Sequence, residues 1–214
     1  MTRCGLVTRA WLRLAVAVAI VLGLFSASGG CAPSKTTVKI DPLDASRPRA
    51  SQTFSRVYFA PSDMGGYDIV LVEDGIRPRV QSGKPNAPLQ PAEVEPLRQV
   101  MHLRVLWRPL PGSKPDQPSA TNAVIRWVIT SNLPRHEADR LEYQGAGFVS
   151  IYPNAHAANV LIRSASINPA AHTGELEDLI GRSTLAGTFE AVRNEGIVHD
   201  VLASIEPVAQ ASSR

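Results

Sequence analysis

Cysteine is almost missing from this 214-residue chain, which has only Cys4 and Cys31. Cys4 lies in a stretch that reads as a leader, so the remainder holds a single thiol. One thiol excludes an intrachain disulfide, a thiolate metal cluster and a CxxC redox pair. Charge of one sign is also scarce. The formal net charge is +3 and the isoelectric point about 9.1. Arg3, Arg9 and Arg13 account for that excess, because residues 1–30 carry no acid. Taking those three from the 22 basic residues leaves 19 against 19 acidic ones in 31–214. A basic nucleic-acid-binding domain loses its support, and no nucleic acid is expected as a partner.

Motifs with a built-in mechanism are lacking too. There is no GxSxG elbow, P-loop, HExxH or EF-hand loop. Gly145-Ala-Gly147 is half of a dinucleotide fingerprint, but Phe148 to Tyr152 continues it as strand rather than helix. His172 with Glu175, and His199 with Asp200, are two-residue coincidences, whereas a zinc site needs three or four converging ligands. A Ser–His–Asp triad needs no closeness in sequence, and no local feature nominates a nucleophile. No catalytic residue, cofactor or metal ligand is assigned.

What the chain does have begins at its start. Three arginines precede an uninterrupted apolar run of 12 residues, Leu14 to Phe25. That length suits a signal h-region and falls short of the ~20 residues that span a bilayer. Ser26-Ala27-Ser28-Gly29-Gly30 follow, small enough to lie in a peptidase groove, and then Cys31. This arrangement resembles the lipobox of bacterial lipoproteins, with Ser28 where leucine is favoured. The resemblance implies cleavage after Gly30, acylation of Cys31 with lipid attached through its thiol, and a membrane as the first partner. Two or more acyl chains, at ~0.8 kcal/mol per buried methylene, make a firm anchor. Ala32 stands where Asp would signal inner-membrane retention in Gram-negative lipoproteins, which favours the outer membrane facing the periplasm. Two other readings stay open: an ordinary secretory signal, and an uncleaved anchor spanning the 17 charge-free residues Leu14 to Gly30.

Four segments follow from composition and period: a signal peptide over 1–30, a flexible tether over 31–53, one β-rich domain over 54–207 and a disordered tail over 208–214. The tether is rich in Pro, Ser, Thr and charge. Ser55–Ala60 and Tyr67–Glu73 flank the turn formers Pro61–Gly66 and predict a hairpin. Residues 78–96 carry five prolines and read as a loop, with a weak helix over 91–100. Alternation is clearest in 101–108 and 123–130, which predict an antiparallel pair with Trp107 and Trp127 on the buried face. Leu141–Tyr152, Asn159–Ile167 and Thr184–Arg193 add strands. The period then changes: Ile197, Val198, Val201, Leu202 and Ile205 mark an amphipathic helix, capped by Asn194 and stopped by Pro207. The fold class is α+β, a mainly antiparallel β domain of six or seven strands with a C-terminal helix. The stretch from His102 to Ile129 is similar to segments of uncharacterised bacterial lipoproteins with a compact β-rich domain, a resemblance that implies no activity.

The candidate site is the outward face of the 101–108 and 123–130 pair. There Arg104 falls opposite or diagonal to Arg126, with Arg108 and His102 nearby. Like charges across a sheet are destabilising and need an answer. The answers are an anionic ligand, a register offset, or pairing with acids such as Glu142 and Asp139. The functional expectation is a lipid-anchored cell-envelope protein, a non-catalytic module for a ligand or an envelope protein partner. An envelope hydrolase with a dispersed triad or metal site is the alternative, and a structural subunit of an envelope assembly a third.

Overall fold

A computed structural model describes residues 36–206, apart from 64, 79–93, 110–111, 113–120 and 132–138. The leader, Cys31 and the tail lie outside the described residues. Nine strands come in the order β1 (Thr36–Pro42), β2 (Ala50–Phe54), β3 (Arg56–Pro61), β4 (Tyr67–Pro78), β5 (Val94–Val105), β6 (Ala123–Ser131), β7 (Arg140–Pro153), β8 (Ala157–Thr173) and β9 (Ser183–Arg193). One helix among the described residues, α1 (Glu195–Ile205), follows. No described helix is long and apolar enough to cross a membrane.

β3 to β9 form a ring of seven strands, and β1 and β2 extend the sheet from β9. Neighbours in the ring are antiparallel except β9 with β3, which pair in parallel at Tyr58↔Val192 and Phe59↔Arg193. An odd ring cannot alternate direction all the way round, so one parallel contact is unavoidable. Further along, β9 leaves β3 and pairs with β1 instead, Val38↔Gly187 to Pro42↔Ser183.

The barrel interior holds the core. Met101, Leu103, Val105, Ile125 and Trp127 are at most 1% exposed, as the period-two pattern predicts. Outward residues such as Arg98, Arg104 and Arg126 alternate with them. Trp107 departs from that expectation at 39% exposure. β5 ends at Val105, where the Leu106 amide donates to the Asn122 carbonyl oxygen (2.8 Å), and the alternation stops before Trp107.

Two further expectations are corrected. Residues 36–53 are not a tether: they form the β1–β2 hairpin, registered from Thr36↔Phe54 to Ile40↔Ala50. Thr36, Val38 and Ile40 face inward, and three inward positions suffice for a strand however polar the surrounding composition. Residues 94–100 are not helix but the start of β5, paired in unbroken register with β4.

Gly145 and Gly147 explain themselves by close approach. A Cβ on Gly145 would stand 1.8 Å from the Ser166 carbonyl oxygen, and one on Gly147 2.3 Å from the Ala165 Cβ. The register of β7 on β8 shifts just beyond, between Phe148 and Val149. Asn122, fully buried, spans that shift. Its side-chain amide donates to the carbonyl oxygens of Trp107 (2.7 Å) and Val149 (2.9 Å). Its oxygen accepts from the Val149 amide (2.9 Å), so backbone groups the bulge would leave unpaired are satisfied.

α1 packs on the outside of the ring. Asn194 caps it, its oxygen accepting from the Ile197 amide at 3.0 Å, and Glu195 places an acid at the positive end of the helix. Val198, Val201 and Ile205 cover Ala60, Val70, Val72, Val100 and Val128 in a second core.

Candidate functional site

The arginine face is assembled differently from the expected cluster. His102 lies opposite Arg126, and Arg104 opposite Val124, so Arg104 is diagonal to Arg126. Arg126 is occupied within the fold. Its Nε donates to Glu142 Oε1 (2.8 Å) and its Nη1 to Glu206 (3.2 Å). Arg140 donates to Glu142 Oε2 (2.8 Å) and Gln144 to Oε1 (2.8 Å). Burial alone would raise the Glu142 carboxyl; the hydrogen bonds from Arg126, Arg140 and Gln144 outweigh it and hold the group at about 2. Arg126 is raised in turn, first by its bond to Glu142.

The same two arginines close the helix. The last turn of α1 has no basic residue of its own. The Ile205 carbonyl oxygen instead accepts from Arg140 (2.7 Å) and Arg126 (3.3 Å), which satisfies an end carbonyl and sets cations at the negative pole. Of the three answers to the arginine pairing, acidic partners are realised at Arg126, Glu142 among them, and the end of α1 adds a further contact that was not among the three.

The other candidates have neighbours too. His102 Nε2 lies 2.8 Å from Asp68 Oδ1. Burial opposes the Asp68 charge, and His102, Arg104 and Ser62 together bring its carboxyl below the ordinary range. Arg108 stacks 5.3 Å over the Tyr67 ring and donates to its hydroxyl. Ser62, Asp68 and His102 resemble triad members in type only. The carboxylate sits between the hydroxyl and the imidazole, whereas activation of a serine needs the imidazole in the middle. His172, His199 and Asp200 are exposed, and no group of metal-ligating side chains gathers among the described residues.

A cavity that the sequence did not predict lies inside the barrel. It occupies about 390 Å³ at the end where the β1–β2, β4–β5, β6–β7 and β8–β9 connections leave. Ile40, Leu97, Trp127, Ile129, Leu141 and Leu176 are among its walls. Segment 174–182 forms one side, and Asp178 ties it down. Asp178 Oδ1 accepts from the Tyr143 hydroxyl (2.5 Å), the Gly181 amide (2.7 Å) and the Ile180 amide (3.1 Å). Arg47 donates to the Asp178 carbonyl oxygen at 2.8 Å. Burial raises the Asp178 carboxyl and these donors more than offset it, so it titrates below its ordinary value. Burial and the bond to Asp178 push the Tyr143 phenol up.

No protein-family model, curated protein or solved structure matches the chain. The signal for the cavity was present in part: Leu141 and Tyr143 share the inward parity of β7, and Leu176, Leu179 and Ile180 are apolar in a connection that is otherwise polar. Which strands they would meet was not written in that pattern.

Proposed function

We propose that the protein is anchored in the cell envelope by lipid on Cys31, and that its β domain is a non-catalytic module that takes an apolar ligand into the barrel-end cavity. The anchor rests on the leader sequence and its lipobox-like junction; the outer membrane facing the periplasm is favoured by Ala32. The binding role rests on one observation, an apolar hollow of about 390 Å³ at a barrel mouth, within the roughly 300–1,000 Å³ of small-molecule sites. Arg126 serves stability in this reading, because its charge is spent on Glu142, Glu206 and the end of α1.

Two experiments test the halves separately. Cys31→Ala should move the protein from membranes to the soluble fraction and remove an acyl mass from the native chain; retention with the starting methionine still present would sink the anchor. Filling the cavity with Ile129→Trp should abolish uptake of an apolar fluorescent probe by the full chain. Unchanged uptake would sink the binding role.

An assembly surface is the second reading, favoured by Leu106, Trp107 and Val124, which are 45%, 39% and 49% exposed at the other end of β5 and β6. Cross-linking from position 107 in envelopes should then capture a defined protein, and capture of lipid alone would count against it.

A further inference from the structure

The β domain begins closer to Cys31 than a tether would place it. β1 starts at Thr36, five residues on from Cys31. Five residues of fully extended chain span at most about 18 Å, which ties the barrel to whatever Cys31 is fixed in. β1 runs toward the cavity end, where Pro42 stands beside Ser183 at the start of β9. The chain therefore enters Thr36 from the side of the opposite end. Val38 lies opposite Gly187, so Thr36 stands level with the part of β9 around Phe189. Along the strand from there, the end of β9 at Arg193 is about 13 Å away and its start at Ser183 about 20 Å, at ~3.3 Å per residue. The end away from the cavity is within the reach of five residues. The cavity end lies farther off, and reaching it would need the chain to reverse.

That same nearer end carries most of the exposed apolar side chains. Of the seven large hydrophobic residues exposed among the described ones, five lie there: Leu106, Trp107, Val124, Tyr152 and Val192. Tyr152 stands at the turn from β7 to β8, and Val192 near the end of β9 opposite Ala157. Leu106 and Trp107 are fixed to the barrel through their backbone. The Leu106 amide donates to the Asn122 carbonyl oxygen (2.8 Å) and the Trp107 carbonyl oxygen accepts from the Asn122 side chain (2.7 Å). Val124 follows two residues after that Asn122. The fold holds these side chains out, and clustered exposed apolar groups mark a contact site. Tryptophan, with an apolar ring and one polar N–H, favours the boundary between lipid headgroups and acyl chains. Arg108 follows it, stacked over the Tyr67 ring.

Resting on the reading of Cys31 as the lipid-bearing residue, we propose that the barrel stands on the bilayer by this end. Leu106, Trp107 and Val124 enter the headgroup region, and the cavity mouth opens away from the membrane. An apolar ligand then reaches the cavity from the aqueous side, not from the bilayer beneath.

The test is tryptophan quenching in the acylated chain, reconstituted into vesicles of phosphatidylethanolamine and phosphatidylglycerol with and without bromine on the acyl chains. Cleavage after Gly30 removes Trp11 and leaves Trp107 and Trp127, of which Trp127 is buried inside the barrel. Brominated lipid should lower the emission by about half, as expected of one ring at the depth of interfacial side chains. Trp107→Phe should abolish the effect. In that variant a tryptophan introduced by Leu43→Trp, at the cavity end and 60% exposed in the native chain, should stay unquenched. Quenching at position 43, or at neither position in a chain that floats with the vesicles, overturns the proposal and leaves the anchor standing. Shielding of Trp107 from bromine and from aqueous iodide alike would mean that a second copy covers this face, and overturns it too. A chain that does not float with the vesicles overturns both the proposal and the reading of Cys31.

Discussion

Arg126 and Glu142 are diagonal neighbours on β6 and β7, joined Nε to Oε1 at 2.8 Å, and the same guanidinium reaches the Ile205 carbonyl oxygen at the end of α1. The pair is therefore a latch between sheet and helix. Arg140 completes it from two residues along β7. Glu142 is 5% exposed, so its charge depends on these partners.

Breaking the latch should loosen the helix before the barrel. Arg126→Ala leaves Glu142 with one guanidinium and the helix with one cap donor, a loss of about 1–3 kcal/mol. Hydrogen exchange should rise at the amides of Val201 to Ile205 and stay slow in β5 and β6. Equal acceleration in both would mean that α1 is not a separately anchored element.

Acid should act through the same carboxylate. The ordinary glutamate value of 4.5 falls to about 2 in the folded chain. A depressed folded value stabilises above the unfolded value and is lost as pH falls through the folded one, so this contribution fades between about 4.5 and 2. Asp68 and Asp178, also lowered, act in the same direction. Urea midpoints between pH 6 and pH 2 should fall less steeply for Glu142→Gln than for the unaltered chain, from a lower starting stability. A parallel slope would show that Glu142 titrates alike in both states.

Asn122→Ala strips partners from the Val149 amide and carbonyl oxygen at the β7 bulge and from the Trp107 carbonyl oxygen beyond β5. With each buried group left unpaired costing about 1–3 kcal/mol before water or relaxation offsets it, a net loss near 3 kcal/mol is expected. Chemical denaturation measures it. A loss below about 1 kcal/mol would mean that the bulge finds other donors.

Gly145→Ala forces a methyl against the Ser166 backbone, where no flexible side chain can yield. Expected is a loss of at least about 3 kcal/mol or failure to fold, in the upper range of overpacking. Thermal melting within a few degrees of the unaltered protein would contradict the close approach of β7 and β8.

Tyr143→Phe removes the phenol that holds Asp178 and keeps the ring beside Trp127. Segment 174–182 should become more sensitive to protease with the barrel intact. Cleavage unchanged from the native rate would show that the phenol is not needed to anchor the segment and leave that role to Arg47.

Local pattern determined a good deal by itself. Alternation at 101–105 and 123–130 sufficed for the β5–β6 pair, because one buried face imposes a period of two. Asn194 and the spacing of Val198, Val201 and Ile205 sufficed for α1, because capping and a buried stripe are both short-range properties. The proposal of export and of lipid on Cys31 likewise rests on thirty-one contiguous residues. Tertiary structure alone decided the rest. Closure of seven strands through a two-residue parallel contact depends on partners more than a hundred residues apart. Glu142 became the answer to Arg126 only once β6 and β7 took their register. The cavity exists because β1, β2, β5, β6, β7 and segment 174–182 meet at one end, and no one of them carries more than a share of its wall. Periodicity reports which side of an element is apolar; only the packed chain says what that side faces, and whether the space between is filled.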